Sequence, residues 1–221
     1  MLKRLAFHRR IFLVPALMVA LAAGGALLQG CSVNPATGEQ SFTGFMSPER
    51  ERQIGAEEHP KLVKAFGGKY PDPALTRYLN GLGGVLQSTS EQPKPPFTFT
   101  LLDTPVINAF ALPGGYVYVS RGLMALANDE AEFAGVVAHE IGHVTARHSA
   151  QRMSRGILAS LGVAVLGAVV GEPLLNDAAR LAAGAYIQGF SRDQEFEADQ
   201  LGVRYLTRAG FDPLAMSSFL G

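Results

Sequence analysis

The feature that most constrains this chain is a pair of histidines, His139 and His143, that lie four residues apart. They belong to the stretch His139-Glu140-Ile141-Gly142-His143. In a helix this spacing places both imidazoles on one face, where they can bind a single zinc ion. The glutamate between them is then positioned to transfer protons next to that ion. The pattern therefore predicts a helix that carries two metal ligands and an acid–base group.

The residues around this motif support a helix. At about 100° per residue, Phe133, Val137 and Ile141 cluster on one side of it. Asn128 or Asp129 is available as the N-cap. The two histidines project about 150° away from the centre of the apolar side, so they do not have the position of core histidines. A solvated helix face that carries two histidines by chance is the alternative interpretation.

A catalytic zinc ion needs a third protein ligand and keeps one position for water. Cys31 lies close to the N-terminus, and His8 and His59 lie outside the helical half of the chain. His148 falls on the apolar side of the motif helix, near its end. A histidine satisfied there by carbonyl groups or by packing is favoured over a third ligand. A carboxylate is therefore the expected third ligand.

The acidic stretch SRDQEFEADQLG, residues 191–202, offers carboxylates at every second position, as on a strand. A stripe at helical spacing favours a helix instead, and it comprises Ala198, Leu201, Gly202, Tyr205, Leu206 and Ala209. Glu195 lies about 50° from that stripe and is the acid turned most toward the protein, so it is the predicted third ligand. Asp199, about 90° away, is predicted to accept a hydrogen bond from a ligand imidazole. Glu197 and Asp193 lie farther round the helix and are predicted to be solvated.

Two histidines and one carboxylate on zinc predict a hydrolytic site. Such an ion lowers the pKa of its water toward about 7 and stabilises a developing oxyanion. Glu140 is expected to accept the proton of that water and to pass it to a leaving amine, so the predicted reaction is peptide-bond hydrolysis. The alternative is a non-catalytic lipoprotein chaperone or assembly factor with a structural or closed zinc site. An intact Glu140 argues against it, because structural zinc does not need this base.

The first 30 residues have the order of a secretory signal, since basic residues precede an uncharged apolar run and small residues follow it. They lead to Cys31, the single cysteine of the chain. The sequence LQGC that ends at this cysteine resembles a bacterial lipobox, which implies cleavage before Cys31 and lipidation of its thiol and amine. Ser32 favours attachment to the outer membrane by the same resemblance. The alternative is a retained transmembrane anchor, although Pro15 weakens the run as a helix.

We therefore divide the chain into a signal peptide of lipoprotein type (1–30), an extended tether (31–46) and one domain (47–221). The predicted fold class is α+β and mostly helical, with β-like segments in residues 97–120. The uncharged run 156–171 is predicted to be a buried helix, and contact with a membrane is the alternative. The formal net charge of zero gives no electrostatic reason to expect binding of nucleic acid.

Helices are also predicted before the β-like segments. Ser47 as N-cap and Pro48 at the first position begin one of them. Asp72 and Pro73 begin a second, although its glycines disfavour a helix.

Three motifs in this order, NAFALPGG, HEIGHVTARH and SRDQEFEAD, resemble the HtpX-like and CAAX-prenyl-protease-like zinc metallopeptidases. The similarity covers about residues 45–218 and is greatest to the periplasmic lipoprotein branch, the BepA-like and LoiP-like proteins. The resemblance implies a zincin-type domain with Glu140 as the base and Asp199 as the acid of the E-x-x-A-D pattern. It assigns one Zn²⁺ per chain to three ligands, namely His139, His143 and Glu195.

The same resemblance implies a small sheet at the edge of the active-site cleft. The strand in NAFALPGG would bind an extended substrate by adding it to the sheet, with Asn108 and Ala109 in contact with it. The alternative is that this strand is ordinary sheet core. The resemblance also implies quality control of outer-membrane proteins on the periplasmic side. Misfolded or unassembled envelope proteins would be the substrates, and lipidated Cys31 would hold the chain to the membrane surface.

Overall fold

The computed structural model describes residues 31–92, 97–170 and 189–220, so the predicted signal peptide lies outside it. These ranges contain five strands and seven helices. In chain order the elements are β1 (Cys31–Val33), β2 (Gln40–Phe42), α1 (Pro48–Ala65), α2 (Pro73–Ser88), β3 (Thr98–Leu102), β4 (Ala109–Leu112), β5 (Tyr116–Ser120), α3 (Arg121–Leu126), α4 (Glu130–Thr145), α5 (His148–Val170), α6 (Arg192–Ala209) and α7 (Ala215–Leu220).

The two helices before the three-stranded sheet begin where the sequence predicts. The Ser47 hydroxyl accepts a hydrogen bond from Arg50 N at the start of α1, and Pro48 follows the cap. Asp72 caps α2 by accepting from Ala74 N at 2.7 Å. A side-chain oxygen at each N-cap satisfies amide groups that have no partner within the helix.

The sheet has the order β3-β5-β4, so β4 occupies one edge. The central strand β5 pairs in parallel with β3 and antiparallel with β4, where Ala109 lies opposite Val119. The turn from β4 to β5 contains Gly114 and Gly115 at positive φ (83° and 92°), a conformation that glycine adopts without a Cβ clash. The mostly helical α+β fold with a small sheet, predicted from the sequence, is confirmed.

Helix α4 is the central element, because it contacts α2, α6, α7 and β4. Its apolar side belongs to the main core and contributes Phe133, Ala134, Val137, Ala138 and Ile141. On α6, the stripe predicted from helical spacing includes the fully buried Leu201, Tyr205 and Leu206. Removing such apolar surface from water stabilises the pair of helices by about 25 cal/mol per Å². The packing therefore fixes α4 and α6 against each other.

Residues 31–46 do not form the extended tether that the sequence suggested. Strands β1 and β2 pair as an antiparallel hairpin, with Ser32 opposite Ser41. Within the hairpin, Asn34 and Ala36 expose only 2% and 7% of their surface. Arg204 Nη1 on α6 donates to Ala36 O at 3.0 Å. The polar composition was misleading because these polar groups find partners in the domain instead of water.

The start of the uncharged run is also different from the prediction. Ile157 and Leu158 each expose 39% of their surface, so a buried helix is wrong for residues 156–160. Helix α5 contacts α4 and β2. Among residues 148–160 of this helix, Ser154 is the last that is buried. Within residues 31–92, 97–170 and 189–220, every helix is too short or too polar to cross a bilayer.

Candidate metal centre

Three potential ligand atoms converge between α4 and α6. His139 Nε2 and His143 Nε2 lie 2.9 Å apart, one helical turn apart on α4. Glu195 Oε2, in the first turn of α6, is 3.3 Å from the first of these nitrogens and 3.5 Å from the second. Ser191 caps α6 and forms a reciprocal capping box with Gln194, which fixes the start of the helix that carries the carboxylate.

The donor atoms fit a zinc ion. The two imidazoles and the carboxylate place one ligand atom each within 4.8 Å of one another, as a metal site requires. Burial lowers the pKa of His143 to about 2, so its imidazole is neutral. Imidazole nitrogens that face each other at 2.9 Å have repelling lone pairs unless a cation or a proton lies between them. Two histidines, one carboxylate and an open fourth position are the ligand set of catalytic zinc.

Asp199 lies against the outer nitrogen of one ligand imidazole, as the sequence predicts. Its Oδ1 is 2.9 Å from His139 Nδ1. A carboxylate oxygen accepts, so the His139 proton lies on Nδ1 and the lone pair of Nε2 faces the ligand group. A contact of this kind orients a ligand imidazole and raises its basicity.

The second ligand imidazole has a partner that the sequence analysis did not identify. His143 Nδ1 is 2.8 Å from His148 Nδ1, and His148 Nε2 is 3.1 Å from Glu197 Oε2. The prediction that Glu197 is solvated is therefore wrong, since Asn34 Nδ2 also donates to it at 2.6 Å. His148 is fully buried, as predicted, but imidazole and carboxylate groups satisfy it instead of carbonyls. Asp193 is exposed, in agreement with the prediction.

Helical periodicity could not reveal this partner, because His148 begins the next helix. The chain turns at Arg147, where φ is 58°. Residues after this turn no longer follow the helical periodicity of α4. One signal in the sequence was Glu197, an acid on α6 to which no partner had been assigned.

Phe190 is a second residue that the sequence analysis missed. Its ring stacks on the imidazole of His143, with centroids 4.0 Å apart and an angle of 21° between the planes. The Arg152 guanidinium lies 4.6 Å from the centroid of the Phe190 ring. An aromatic ring and a cation above it shield this side of the ligand imidazole from water.

Glu140 is buried next to the potential ligand His139. It exposes 7% of its surface, and burial, together with the nearby charge of Glu195, raises its pKa to about 8. A carboxyl group whose pKa lies near neutral pH is suited to exchanging protons with a reacting molecule. Glu140 and His139 line the same cavity of about 220 Å³.

The edge strand borders this cavity. Asn108 is exposed and Ala109 is half-buried, and both line the cavity beside the ligand His139. The rest of the lining is mainly apolar and consists of Ile107, Leu123, Gly135, Val136 and Met216, together with Glu140. The structure thus places both predicted substrate contacts next to the metal ligands. The strand is at a sheet edge and is not central sheet core.

A family model described as Peptidase family M48 matches residues 73–220. The chain belongs to this family. Members of family M48 are zinc metallopeptidases, so zinc is the cofactor, and His139, His143 and Glu195 are a group able to hold it. The family resemblance stated from the sequence motifs is confirmed.

Similar proteins from several organisms cover much of this M48 chain. A "Beta-barrel assembly-enhancing protease" of Yersinia pestis is 41% identical over 79% of the chain and 38% of its own length. Its Escherichia coli (strain K12) counterpart is 35% identical over the same shares. "Mitochondrial metalloendopeptidase OMA1" of Saccharomyces cerevisiae is 37% identical over 75% of the chain and 46% of its own length. The chain thus spans less than half the length of each of these relatives.

Proposed function

We propose that this chain is a zinc metalloendopeptidase that hydrolyses peptide bonds of extended polypeptides. The observation that carries the proposal is the convergence of His139, His143 and Glu195 beside the buried Glu140. Membership of a family of zinc peptidases supports it. A purely structural zinc site would need neither a buried base nor a cavity next to the ligands.

Each residue of the site has a distinct role. His139, His143 and Glu195 hold the zinc ion, and Asp199 orients the first imidazole through its Nδ1 proton. When bound, zinc lowers the pKa of a coordinated water to about 7 and polarises the peptide carbonyl. The Glu140 carboxylate takes up the proton that the attacking water loses and delivers it to the nitrogen of the leaving amine. Bond cleavage thus yields a carboxylate and an amine.

The substrate lies along the free edge of β4. Ser120 N donates to Asn108 O, so the next pair, Ala109 and Val119, does not exchange hydrogen bonds in the antiparallel ladder. The N–H and C=O of Ala109 therefore point away from β5, toward an added strand. A substrate in this position is extended, and its main chain pairs with β4. The adjacent cavity of about 220 Å³ would accept an apolar side chain.

The bacterial relatives support a proposal for the cellular role. Two of them are named beta-barrel assembly-enhancing proteases, which supports a place in the bacterial cell envelope. We assign this chain to the periplasmic side, where misfolded or unassembled envelope proteins are its substrates. Lipidation of Cys31 would tether it to the membrane surface, preferentially the outer membrane. Metabolic labelling with a palmitate analogue, compared between wild type and Cys31→Ala, tests the tether.

The test of the activity compares wild type with Glu140→Gln on an unfolded protein such as casein. We expect the variant to bind zinc as tightly as wild type, because no ligand is lost, and to lose turnover by at least about 100-fold. Glu130→Gln is the matched control, since Glu130 is an exposed glutamate on the same helix. It should keep full activity.

Unchanged cleavage by Glu140→Gln would contradict the proposed mechanism. Binding of unfolded envelope proteins that survives zinc removal, without proteolysis at any pH, would instead support the non-catalytic chaperone or assembly factor.

A further inference from the structure

A line of polar contacts runs from the ligand His143 to the hairpin formed by β1 and β2. It passes from His143 Nδ1 to His148 Nδ1 (2.8 Å), and from His148 Nε2 to Glu197 Oε2 (3.1 Å). Glu197 Oε1 then accepts from Asn34 Nδ2 at 2.6 Å. The last three residues lie outside the group of potential ligands, so they act on the metal only through His143.

The chemistry of these atoms permits one arrangement of protons. Asn34 Oδ1 accepts from Ala36 N at 2.9 Å, which leaves the Nδ2 group as the donor to Glu197. An ionised carboxylate only accepts, so His148 carries its proton on Nε2 and its Nδ1 is an acceptor. His143 Nδ1 then donates to His148. The Nε2 atom of His143 consequently keeps the lone pair that a metal requires.

Water cannot easily replace the partners in these hydrogen bonds. His148 is fully buried, Asn34 exposes 2% of its surface and the Glu197 side chain exposes 20%. The partner of the other ligand imidazole, Asp199, exposes 44% of its side chain, so water can reach it. A buried polar group that loses its partner stays unsatisfied. The orientation of His143 thus depends on protein groups alone.

The segment before α1 and the start of α1 also hold the turn that brings His148 to His143. Arg147 has a left-handed backbone, which a residue other than glycine keeps only where its surroundings impose it. Its guanidinium donates to Met46 O at 2.7 Å and to the Glu51 carboxylate. Residues 32–51 therefore contact both the turn and, through Asn34, the acid of α6.

We infer that Asn34, Glu197 and His148 are positioning residues that set the tautomer and the orientation of the ligand His143. By this arrangement the N-terminal hairpin takes part in building the metal centre. The inference rests on the proposed zinc site, but its test uses zinc affinity and does not depend on proteolysis.

The test exchanges the donor and the acceptor in the hydrogen bond between Asn34 and Glu197. Asn34→Asp keeps the oxygen that accepts from Ala36 N but places a second carboxylate against Glu197. Glu197→Gln leaves one acceptor oxygen for two donors, Asn34 Nδ2 and His148 Nε2, so an amide NH2 faces one of them. Each single variant should lower zinc affinity by about 10-fold or more, as loss of a partner of a ligand histidine does. The double variant pairs the new amide with the new carboxylate and should recover affinity to within about 3-fold of wild type.

Zinc affinity is measured on the purified protein by competition with a chromophoric chelator. Asp193→Asn is the control, because it removes an exposed carboxylate about one turn earlier on the same helix and should leave the affinity unchanged. Wild-type affinity in both single variants would overturn the inference, and so would a double variant as weak as the single ones. Zinc affinity that does not change in His143→Ala would instead contradict the zinc site itself.

A measurement on the wild type alone keeps the inference testable if a variant fails to fold. Imidazole ¹⁵N NMR spectra of the zinc-loaded protein should give His148 a proton on Nε2 only and His143 a proton on Nδ1. A His148 proton on Nδ1 would overturn the inference, because that nitrogen could not then accept from His143.

Discussion

Gly142 lies against the carbonyl oxygen of Ala198 where α4 and α6 cross, and a Cβ atom at position 142 would be 2.9 Å from that oxygen. On the same crossing, Gly202 faces His139, and a Cβ atom there would be 3.2 Å from the backbone nitrogen of His139. The two glycines thus let the backbones of the ligand-bearing helices approach closely. The distance from the two imidazoles to the carboxylate of Glu195 depends on this approach.

Gly142→Ala should therefore separate the two helices. The new methyl group meets backbone, which cannot rotate away, so we expect the free energy of unfolding to fall by about 1–3 kcal/mol. Zinc affinity should fall as well, because the ligand atoms move apart. Urea unfolding of the apo protein and chelator competition measure the two effects.

Gly84→Ala is the matched control for this prediction. Gly84 is an exposed glycine in α2, and a Cβ atom there would meet nothing within 4 Å. Alanine should stabilise the protein by about 0.5–1 kcal/mol, because it favours the helix, without an effect on zinc. A Gly142→Ala variant that behaves like this control would show that the crossing tolerates the methyl group.

Glu195→Ala should remove most of the bound zinc. The substitution leaves two imidazole ligands, which is too few for a tight catalytic zinc site. Zinc per chain, measured by elemental analysis after gel filtration, should be about one in wild type and far lower in the variant. Asp193→Asn should retain the wild-type content. Full zinc content in Glu195→Ala would exclude this carboxylate as the third ligand.

Ala109→Pro should weaken substrate binding at the edge strand. Proline removes the N–H that points away from β5, so the β4–β5 hydrogen bonds remain while one bond to the substrate is lost. One such bond is worth about 0.5–1.5 kcal/mol, so kcat/KM for a protein substrate should fall by about 2–10-fold. Zinc content should not change. A short blocked peptide, with too few residues to pair along β4, should be cleaved equally by wild type and variant.

Glu91 joins the end of α2 to α6 and should make stability depend on acidic pH. Its carboxylate accepts hydrogen bonds from Tyr205 Oη (2.6 Å), Arg204 Nη1 (3.1 Å) and Arg208 Nη1 (3.0 Å). Burial by itself raises the pKa of Glu91, but these hydrogen bonds and one from its own backbone lower it by more. The net pKa therefore lies below the ordinary value of 4.5.

A lowered pKa means that the ionised form of Glu91 stabilises the folded state. This contribution is complete above pH 4.5 and is lost as the pH falls through the folded-state pKa. Glu91→Gln should lower the free energy of unfolding at pH 7 by about 1–3 kcal/mol and flatten its decline below pH 4.5. Urea unfolding between pH 3 and pH 7 measures both. If the free energy of unfolding declined equally steeply at acidic pH in wild type and variant, this role would be contradicted.

The group of potential ligands was predictable because it depends on local geometry. Helical periodicity alone placed His139 and His143 on one face, and the stripe on α6 singled out Glu195 as the inward acid. The N-caps at Ser47 and Asp72 were likewise predictable, since a cap acts on amides two or three residues away. These properties belong to single helices and depend on the spacing of residues within each helix.

The role of Glu197 was not predictable in this way. Its angle on the helix, about 110° from the stripe, pointed it away from the core of the two-helix pair. The side chain nevertheless meets His148 and Asn34, which come from α5 and from the hairpin. An angle on a helix states the direction of a side chain, but not which other segment lies there.

The sequence by itself determined the fold class, the two main helices of the site, the group of potential metal ligands and the family resemblance, because short-range spacing carries this information. The tertiary structure decided that residues 31–46 fold onto the domain, that the turn at Arg147 returns His148 to His143, and that two glycines set the distance between the helices. These are contacts between residues far apart in the chain or across a break in helical register. They arise only when the whole domain packs, since each segment needs the others to satisfy its polar groups and to bury its apolar face.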